Sequence, residues 1–101
     1  MALSEILHLN LYREHFDAIA EGRKRVEYRQ RSAFWRKRLE GRKYDAIKFR
    51  NGYSAKAPEM LVELRGVRRY GTGRRARYAI LLGRLLKVKR WRRRAVANSQ
   101  A

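Results

Sequence analysis

Apolar residues recur along the chain with two different spacings, and the changes between them outline its elements. Over residues 6–11 leucines alternate with mostly polar residues, a period of two that predicts a strand. From Tyr12 the period becomes helical, because Tyr12, Phe16 and Ile19 fall on one stripe. Gly22 is the left-handed residue expected to end this helix. The N-terminal segment is therefore predicted to be a strand followed by a helix.

Strand-like alternation returns in residues 25–30. Val26 and Tyr28 are expected to face the protein interior, and Glu27 and Arg29 are expected on the opposite side. A strand with one apolar face leaves its other face to solvent, a helix or a ligand. Glu27 and Arg29 are thus predicted to share such a face.

The remaining chain predicts one more helix and three more strands. Ser32 is expected to cap a short helix in which Trp35 and Leu39 lie one turn apart. Glycines are expected to interrupt the last two strands, as a bulge at Gly66 and a bend at Gly83. The three strands are predicted at residues 44–50, at residues 60–67 with the bulge at Gly66, and at residues 77–89.

About five strands and two early helices predict an α+β fold in which a small mixed, mostly antiparallel sheet curls into a barrel. The length of 101 residues allows one small domain. No Cys is present, and no His or carboxylate cluster has metal-ligand spacing, so neither a metal nor another cofactor is expected. No apolar run approaches the roughly 20 residues of a membrane span, and the N-terminus lacks the order of a signal peptide. We therefore expect a cytoplasmic protein with no membrane partner.

The charge balance indicates a polyanionic partner. The chain carries 27 Lys and Arg against 9 Asp and Glu, a net charge of +18, and no carboxylate follows Glu63. Solubility alone needs a net charge of only about 2–8 in a domain of this size. Most of the cations are Arg, which binds phosphate bidentately and stacks on bases. RNA or DNA is therefore the expected partner. An anionic membrane surface or an acidic protein are the alternatives.

Cations and aromatic residues are interleaved around residues 71–73 and again near the C-terminus. Base stacking on an aromatic ring contributes about 1–3 kcal/mol, while clustered Arg and Lys follow the phosphates of a single strand. The alternative is that aromatic residues such as Tyr78 and Trp91 belong to the core and the arginines form a solvated rim. The binding residues predicted from these clusters are Arg68, Arg69, Tyr70, Arg74, Arg75, Arg77, Arg92, Arg93 and Arg94.

Residues 22–29 read GRKRVEYR and match the pattern G-x-K-x-x-E-x-R. This octapeptide, placed between a helix and a strand, resembles the signature of the ASCH domain, a small β-barrel family of the PUA-like type. Residues 78–83 also resemble the closing strand of that family. The resemblance implies a single ASCH domain over residues 1–91. The basic sequence that follows predicts a flexible tail over residues 92–101.

Similarity to ASCH proteins implies binding of RNA or of modified nucleosides at the motif, with Gly22, Lys24, Glu27 and Arg29 as the site. In a regular strand Lys24 points away from Glu27, so their convergence requires a twist, a bulge or a place for Lys24 in the turn. If they converge, Glu27 lies between two cations that it directs at a ligand. The alternative is an ion network that only holds the strand in place.

Relatives in that family suggest two hydrolytic alternatives in the same cleft. One is hydrolysis of the acetyl amide of N4-acetylcytidine, for which Lys24 matches the family's Lys but Glu27 stands where the subgroup has Thr. Glu27 acting as a base on water, with Lys24 stabilising the oxyanion, is the form this chemistry would take. The other is cleavage of single-stranded RNA, to which Lys24 would contribute together with Tyr28, Tyr53 or Ser54. His8 and His15 are not expected to form an acid–base pair.

Overall fold

The computed structural model describes residues 5–93, which form one sheet and two short helices. Every predicted element is present, although several bounds differ from the prediction. The fourth strand differs most, because it continues past the bulge at Gly66 and Val67 as far as Tyr70. In chain order the elements are β1 (Ile6–Asn10), α1 (Arg13–Ala20), β2 (Val26–Gln30), α2 (Ala33–Leu39), β3 (Ala46–Arg50), β4 (Glu59–Tyr70), a 3-10 turn (Gly73–Arg75) and β5 (Arg77–Lys89).

The five strands form a mixed sheet in the order β1-β3-β4-β5-β2. Only the β1–β3 pair is parallel, and the other three pairs are antiparallel. The sheet curls into a half-barrel, so β1 and β2 are its two edges and a gap lies between them. The predicted small α+β fold with a mostly antiparallel, curled sheet is confirmed. Neither helix in residues 5–93 is long and apolar enough to cross a bilayer.

The concave side of the sheet and one face of α1 enclose the core. Leu7, Leu9 and Leu11 are buried there as their alternation predicted, and Phe16 and Ile19 cover them from α1. Tyr78 is fully buried too, which places it in the core rather than at the surface.

The prediction that Tyr12 belongs to the buried stripe of α1 is wrong. Its side chain is 80% exposed. The helix begins one residue later, at Arg13, and Tyr12 has the extended backbone of an N-cap residue. A side chain at that position does not continue the helical stripe.

The facing predicted for β2 is also wrong. Glu27 is buried and Tyr28 is exposed, the reverse of the expectation from their polarity. The sheet register explains this, because Glu27 lies opposite Ile80, which points into the core. Tyr28 lies opposite Ala79, on the side of the sheet that faces away from the core. A carboxylate occupies an inward position here because two cations compensate its charge, as described below.

Glycines shape the ends and bends of these elements. Gly22 has a φ of +79° and ends the first helix as predicted. The register between β4 and β5 shifts between Leu64 and Gly66, at the predicted bulge. Gly83 lies in a second irregular stretch, where an added Cβ would come 2.1 Å from the Oε1 of Glu63. The register irregularities of the long hairpin therefore lie near the two glycines that were predicted to interrupt it.

Candidate functional site

The gap between the two edge strands contains a cleft of about 790 Å³. The end of β1, one face of α1, the start of β2 and the loop after β3 all contribute to its walls. An open half-barrel produces such a cleft because the sheet does not close between β1 and β2. The polar and charged side chains that line it are Asn10, His15, Lys24, Glu27, Arg29 and Asn51.

Three side chains of the octapeptide meet at the bottom of this cleft. The Nζ of Lys24 lies 2.8 Å from Oε1 of Glu27, and the Nη2 of Arg29 lies 2.8 Å from Oε2. The Nε of Arg29 also donates to that second oxygen, at 2.9 Å. Each oxygen of the carboxylate therefore has its own cation. We refer to Lys24, Glu27 and Arg29 as the ionic cluster.

The ionic cluster forms because Lys24 precedes the strand. The amides of Arg23 and Lys24 both donate to the carbonyl of Ala18, which folds the chain back against the end of α1 after Gly22. Lys24 thus lies in the turn and is free of the strand's alternation. Of the three arrangements that would bring Lys24 to Glu27, the structure has the turn.

Burial of Glu27 makes the cluster sensitive to the loss of either cation. The side chain of Glu27 is only 6% exposed, whereas those of Lys24 and Arg29 are about one quarter exposed. A buried carboxylate without a counter-charge is strongly destabilising. Glu27 therefore fixes two cations at the cleft, while each of them keeps a face toward solvent.

His15 joins the cluster although its sequence position gave no sign of a site. Its Nδ1 lies 3.2 Å from the Nζ of Lys24, and the ring lines the cleft. His15 lies one helical turn before Ala18, the residue to which the Lys24 amide is bonded. The one sequence feature that could have indicated this contact is the glycine that ends the helix, because Gly22 turns Lys24 back over the last turn of α1.

Two asparagines that the sequence reasoning also missed hold the rim of the cleft. Asn10 accepts a hydrogen bond from the amide of Gly52 at 2.9 Å. Asn51 donates to the carbonyl of Leu11 at 2.9 Å. These reciprocal bonds join the end of β1 to the loop after β3, and so place Tyr53 at the mouth of the cleft.

The other residues predicted at or near the cleft are placed differently. Tyr53 is 89% exposed and lines the cleft. Ser54 is exposed and does not line it, and its hydroxyl accepts from the amide of Lys56 at 3.1 Å. Gly22 shapes the turn but does not line the cleft either. His8 lies outside the cleft, on the exposed face of β1.

Tyr28 connects the cleft with the outer face of the sheet. It lines the cleft, and its ring lies 6.0 Å from that of Tyr70, centroid to centroid. The register places Arg68 opposite Ala79 and Arg77 opposite Tyr70, so both arginines share this face. Both are exposed, and neither has an acidic partner within residues 5–93. We refer to Tyr28, Tyr70, Arg68 and Arg77 as the outer face.

Arg69 points to the opposite side of β4 and belongs to a different network. Its Nη1 lies 3.5 Å from Oε2 of Glu40, the oxygen to which Arg31 and Tyr78 also donate. The Tyr78 hydroxyl and the Arg31 guanidinium lower the pKa of Glu40 to about 2. Burial, and then its hydrogen bond to Glu40, raise the pKa of Tyr78. Arg69 is thus engaged in a structural ion network.

The remaining predicted cations lie away from the cleft. Arg74 and Arg75 are exposed on the 3-10 turn between β4 and β5. Arg92 and Arg93 come after β5 in the chain and contact α1 and the residue that follows it. The Arg92 carbonyl accepts a hydrogen bond from Arg13, and the Nε of Arg93 lies 3.7 Å from the Oε2 of Glu21. Arg94, and the tail from residue 94 to residue 101, lie outside the described residues.

Comparison of the chain with protein-family models, with curated proteins and with solved structures gave no match.

Proposed function

We propose that this protein binds single-stranded nucleic acid, RNA in the first place, and that the cleft between β1 and β2 receives a base or nucleotide. The observation that carries the proposal is the ionic cluster, in which a buried Glu27 holds Lys24 and Arg29 at an open cleft. Fixed cations of this kind bind an anion without the cost of ordering long side chains at the moment of binding.

The dimensions and chemistry of the cleft support a nucleotide as the ligand. A volume of about 790 Å³ falls within the range of small-molecule sites. Tyr28 and Tyr53 supply aromatic faces, and Asn10 and Asn51 supply amide groups near the rim. Aromatic side chains with cations close by are how single strands are held.

The outer face supports a strand that continues beyond the cleft. Tyr28 belongs to both surfaces, so a base at the cleft and its neighbour at Tyr70 would lie on contacting rings. Arg68 and Arg77 stand beside them for the phosphates. The net charge of +18 favours a polyanion over a neutral ligand. The resemblance of GRKRVEYR to the ASCH signature points to the same class of ligand.

A hydrolase acting in the same cleft is the second candidate, on N4-acetylcytidine or on single-stranded RNA. The observation that favours it is the contact between His15 and Lys24, because an imidazole at hydrogen-bond distance from an amine can exchange a proton with it. Chromatography after incubation with each substrate tests this candidate. Product that is formed by the wild-type protein but not by the Lys24→Ala variant would support it. Substrates that the wild-type protein leaves unchanged would exclude both reactions.

The binding proposal is tested by fluorescence anisotropy with a labelled single-stranded RNA and a duplex DNA of equal length. We expect the wild-type protein to bind the RNA more tightly, and Lys24→Ala to weaken that binding about 10-fold. Lys43→Ala is the matched control, because Lys43 is exposed away from the cleft and carries the same charge. An equal loss of RNA affinity in both variants would mean that Lys24 contributes only through the net charge of the protein. Indifference to both nucleic acids would favour an acidic protein partner.

A further inference from the structure

A second cavity, of about 380 Å³, adjoins the cleft on the far side of Arg29. Asn10, Arg29 and Tyr53 line both spaces. The bond from the Arg29 Nη2 to the Asn10 carbonyl, at 3.4 Å, forms the ridge between them. The two cavities are therefore neighbouring compartments that share one fixed cation. None of the residues found only in this second cavity belongs to the octapeptide.

Aromatic rings form much of the wall of this second cavity. Phe34 and Trp35, at the start of α2, pack edge to face with their ring centroids 5.0 Å apart. Phe34 is 53% exposed, and Trp35 packs against the core while keeping part of its surface free. Tyr53, from the loop after β3, completes the aromatic lining. Exposed aromatic side chains gathered around a cavity are suited to a flat ring.

The charged groups of the cavity are both arginines. The guanidinium of Arg29 lies 5.3 Å from the Trp35 ring centroid, and its Nη1 takes no part in the bonds to Glu27 or Asn10. Arg50 enters from the end of β3, where its Nη2 donates to the Ser54 carbonyl at 2.7 Å and its Nε lies 3.5 Å from the Oε1 of Glu59. Glu27 pairs with Arg29, and Glu59 pairs with Arg50, but among residues 5–93 no carboxylate lines the cavity itself. An anion beside a planar ring would therefore meet the two guanidiniums there and no carboxylate.

We propose that this cavity is a second nucleotide subsite, in which a base packs against the rings of Trp35 and Phe34 and the linking phosphate lies at Arg29 and Arg50. The inference rests on the proposed function and specifies its ligand. The preferred ligand is a single-stranded oligonucleotide of at least two nucleotides rather than a free nucleoside. Arg29 then serves both compartments, because it stands on the ridge over which the backbone passes.

The test compares the binding of 5′-AMP with that of the dinucleotide pApA by isothermal titration calorimetry. The two probes differ by one nucleoside and its linking phosphate, which is what the second subsite would hold. We expect the wild-type protein to bind pApA roughly 5- to 160-fold more tightly than 5′-AMP, in line with the contribution of one stacked base.

Substitutions in α2 test whether its aromatic rings provide the higher affinity for pApA. Phe34→Leu and Trp35→Leu remove an aromatic face but keep apolar volume, and we expect them to bring pApA close to the affinity of 5′-AMP. Trp35→Phe keeps a ring and should retain most of the gain. Phe34→Leu lies at a largely exposed position, so it remains informative if the Trp35 variants unfold.

The outcomes separate the two proposals. Equal affinities for pApA and 5′-AMP in the wild-type protein, or a gain that survives both leucine variants, would overturn the second subsite and leave the cleft intact. Failure of both probes and of longer RNA to bind would overturn the proposed function, and the subsite with it.

Discussion

The Nζ of Lys24 lies 2.8 Å from the Oε1 of Glu27, three residues along the chain. Strand alternation would place these side chains on opposite faces. They meet because Gly22 turns the chain back onto α1 and leaves Lys24 outside β2. The ionic cluster therefore depends on the end of a helix as much as on the strand that carries Glu27.

Glu27→Gln should lower the free energy of unfolding by about 2 kcal/mol, because it leaves two partly buried cations without their shared counter-charge. Urea unfolding measures the change. Glu14→Gln, at an exposed position of α1, is the control and should alter stability by less than about 0.5 kcal/mol. Equal effects of the two substitutions would show that the cluster does not stabilise the fold.

The outer face should contribute to the salt dependence of RNA binding. Each phosphate contact to a single strand contributes about 0.7 to the slope of log K against log salt concentration. The double variant Arg68→Ala/Arg77→Ala should therefore reduce the slope by about 1.4. Lys87→Ala/Lys89→Ala removes the same charge from the far end of β5 and serves as the control. An equal reduction in both variants would assign the effect to net charge alone.

Two glycines with the same φ of +79° should differ in their tolerance of alanine. At Gly22 an added Cβ meets no atom of residues 5–93 within 4 Å, so only the backbone strain of about 1–2 kcal/mol applies. At Gly71 it would lie 2.5 Å from the backbone oxygen of Arg75, and the turn before β5 would have to move. Thermal unfolding of Gly22→Ala and Gly71→Ala should therefore show the greater loss for Gly71. The reverse order would contradict this description of the turn.

Acid should destabilise the protein partly through Glu40. Its pKa is lowered in the folded state from 4.5 to about 2, so its contribution is present above pH 4.5 and is lost as the pH falls toward 2. Glu40→Gln should flatten the decline of Tm over this interval, relative to Glu14→Gln. An unchanged decline would show that the hydrogen bonds from Tyr78 and Arg31 do not hold the carboxylate in solution.

The sequence predicted the number, type and order of the main elements because their apolar spacing is regular. Leu7, Leu9 and Leu11 show this for β1, and the capping bond of Ser32 shows it for α2. It did not predict the facing of β2. In a strand of five residues, polarity alone placed Glu27 outside, whereas pairing with Ile80 places it inside.

The candidate site, like the fold, could be predicted from the sequence only in part. The octapeptide identified Lys24, Glu27 and Arg29, which do converge. His15, Asn10 and the aromatic wall of α2 come to the site through contacts between distant segments, such as the bond from Gly52 to Asn10. Local spacing carries no information about such contacts, so these residues emerge only from the folded chain.

The most direct test of nucleotide binding at the cleft is the amide NMR spectrum of the ¹⁵N-labelled protein during titration with a short single-stranded RNA at low ionic strength. We predict saturable shifts that are largest for residues 24–29 and 51–53, and that are lost for the same residues in Lys24→Ala. Shifts that leave residues 24–29 unmoved, or no shifts at all, would contradict the proposal.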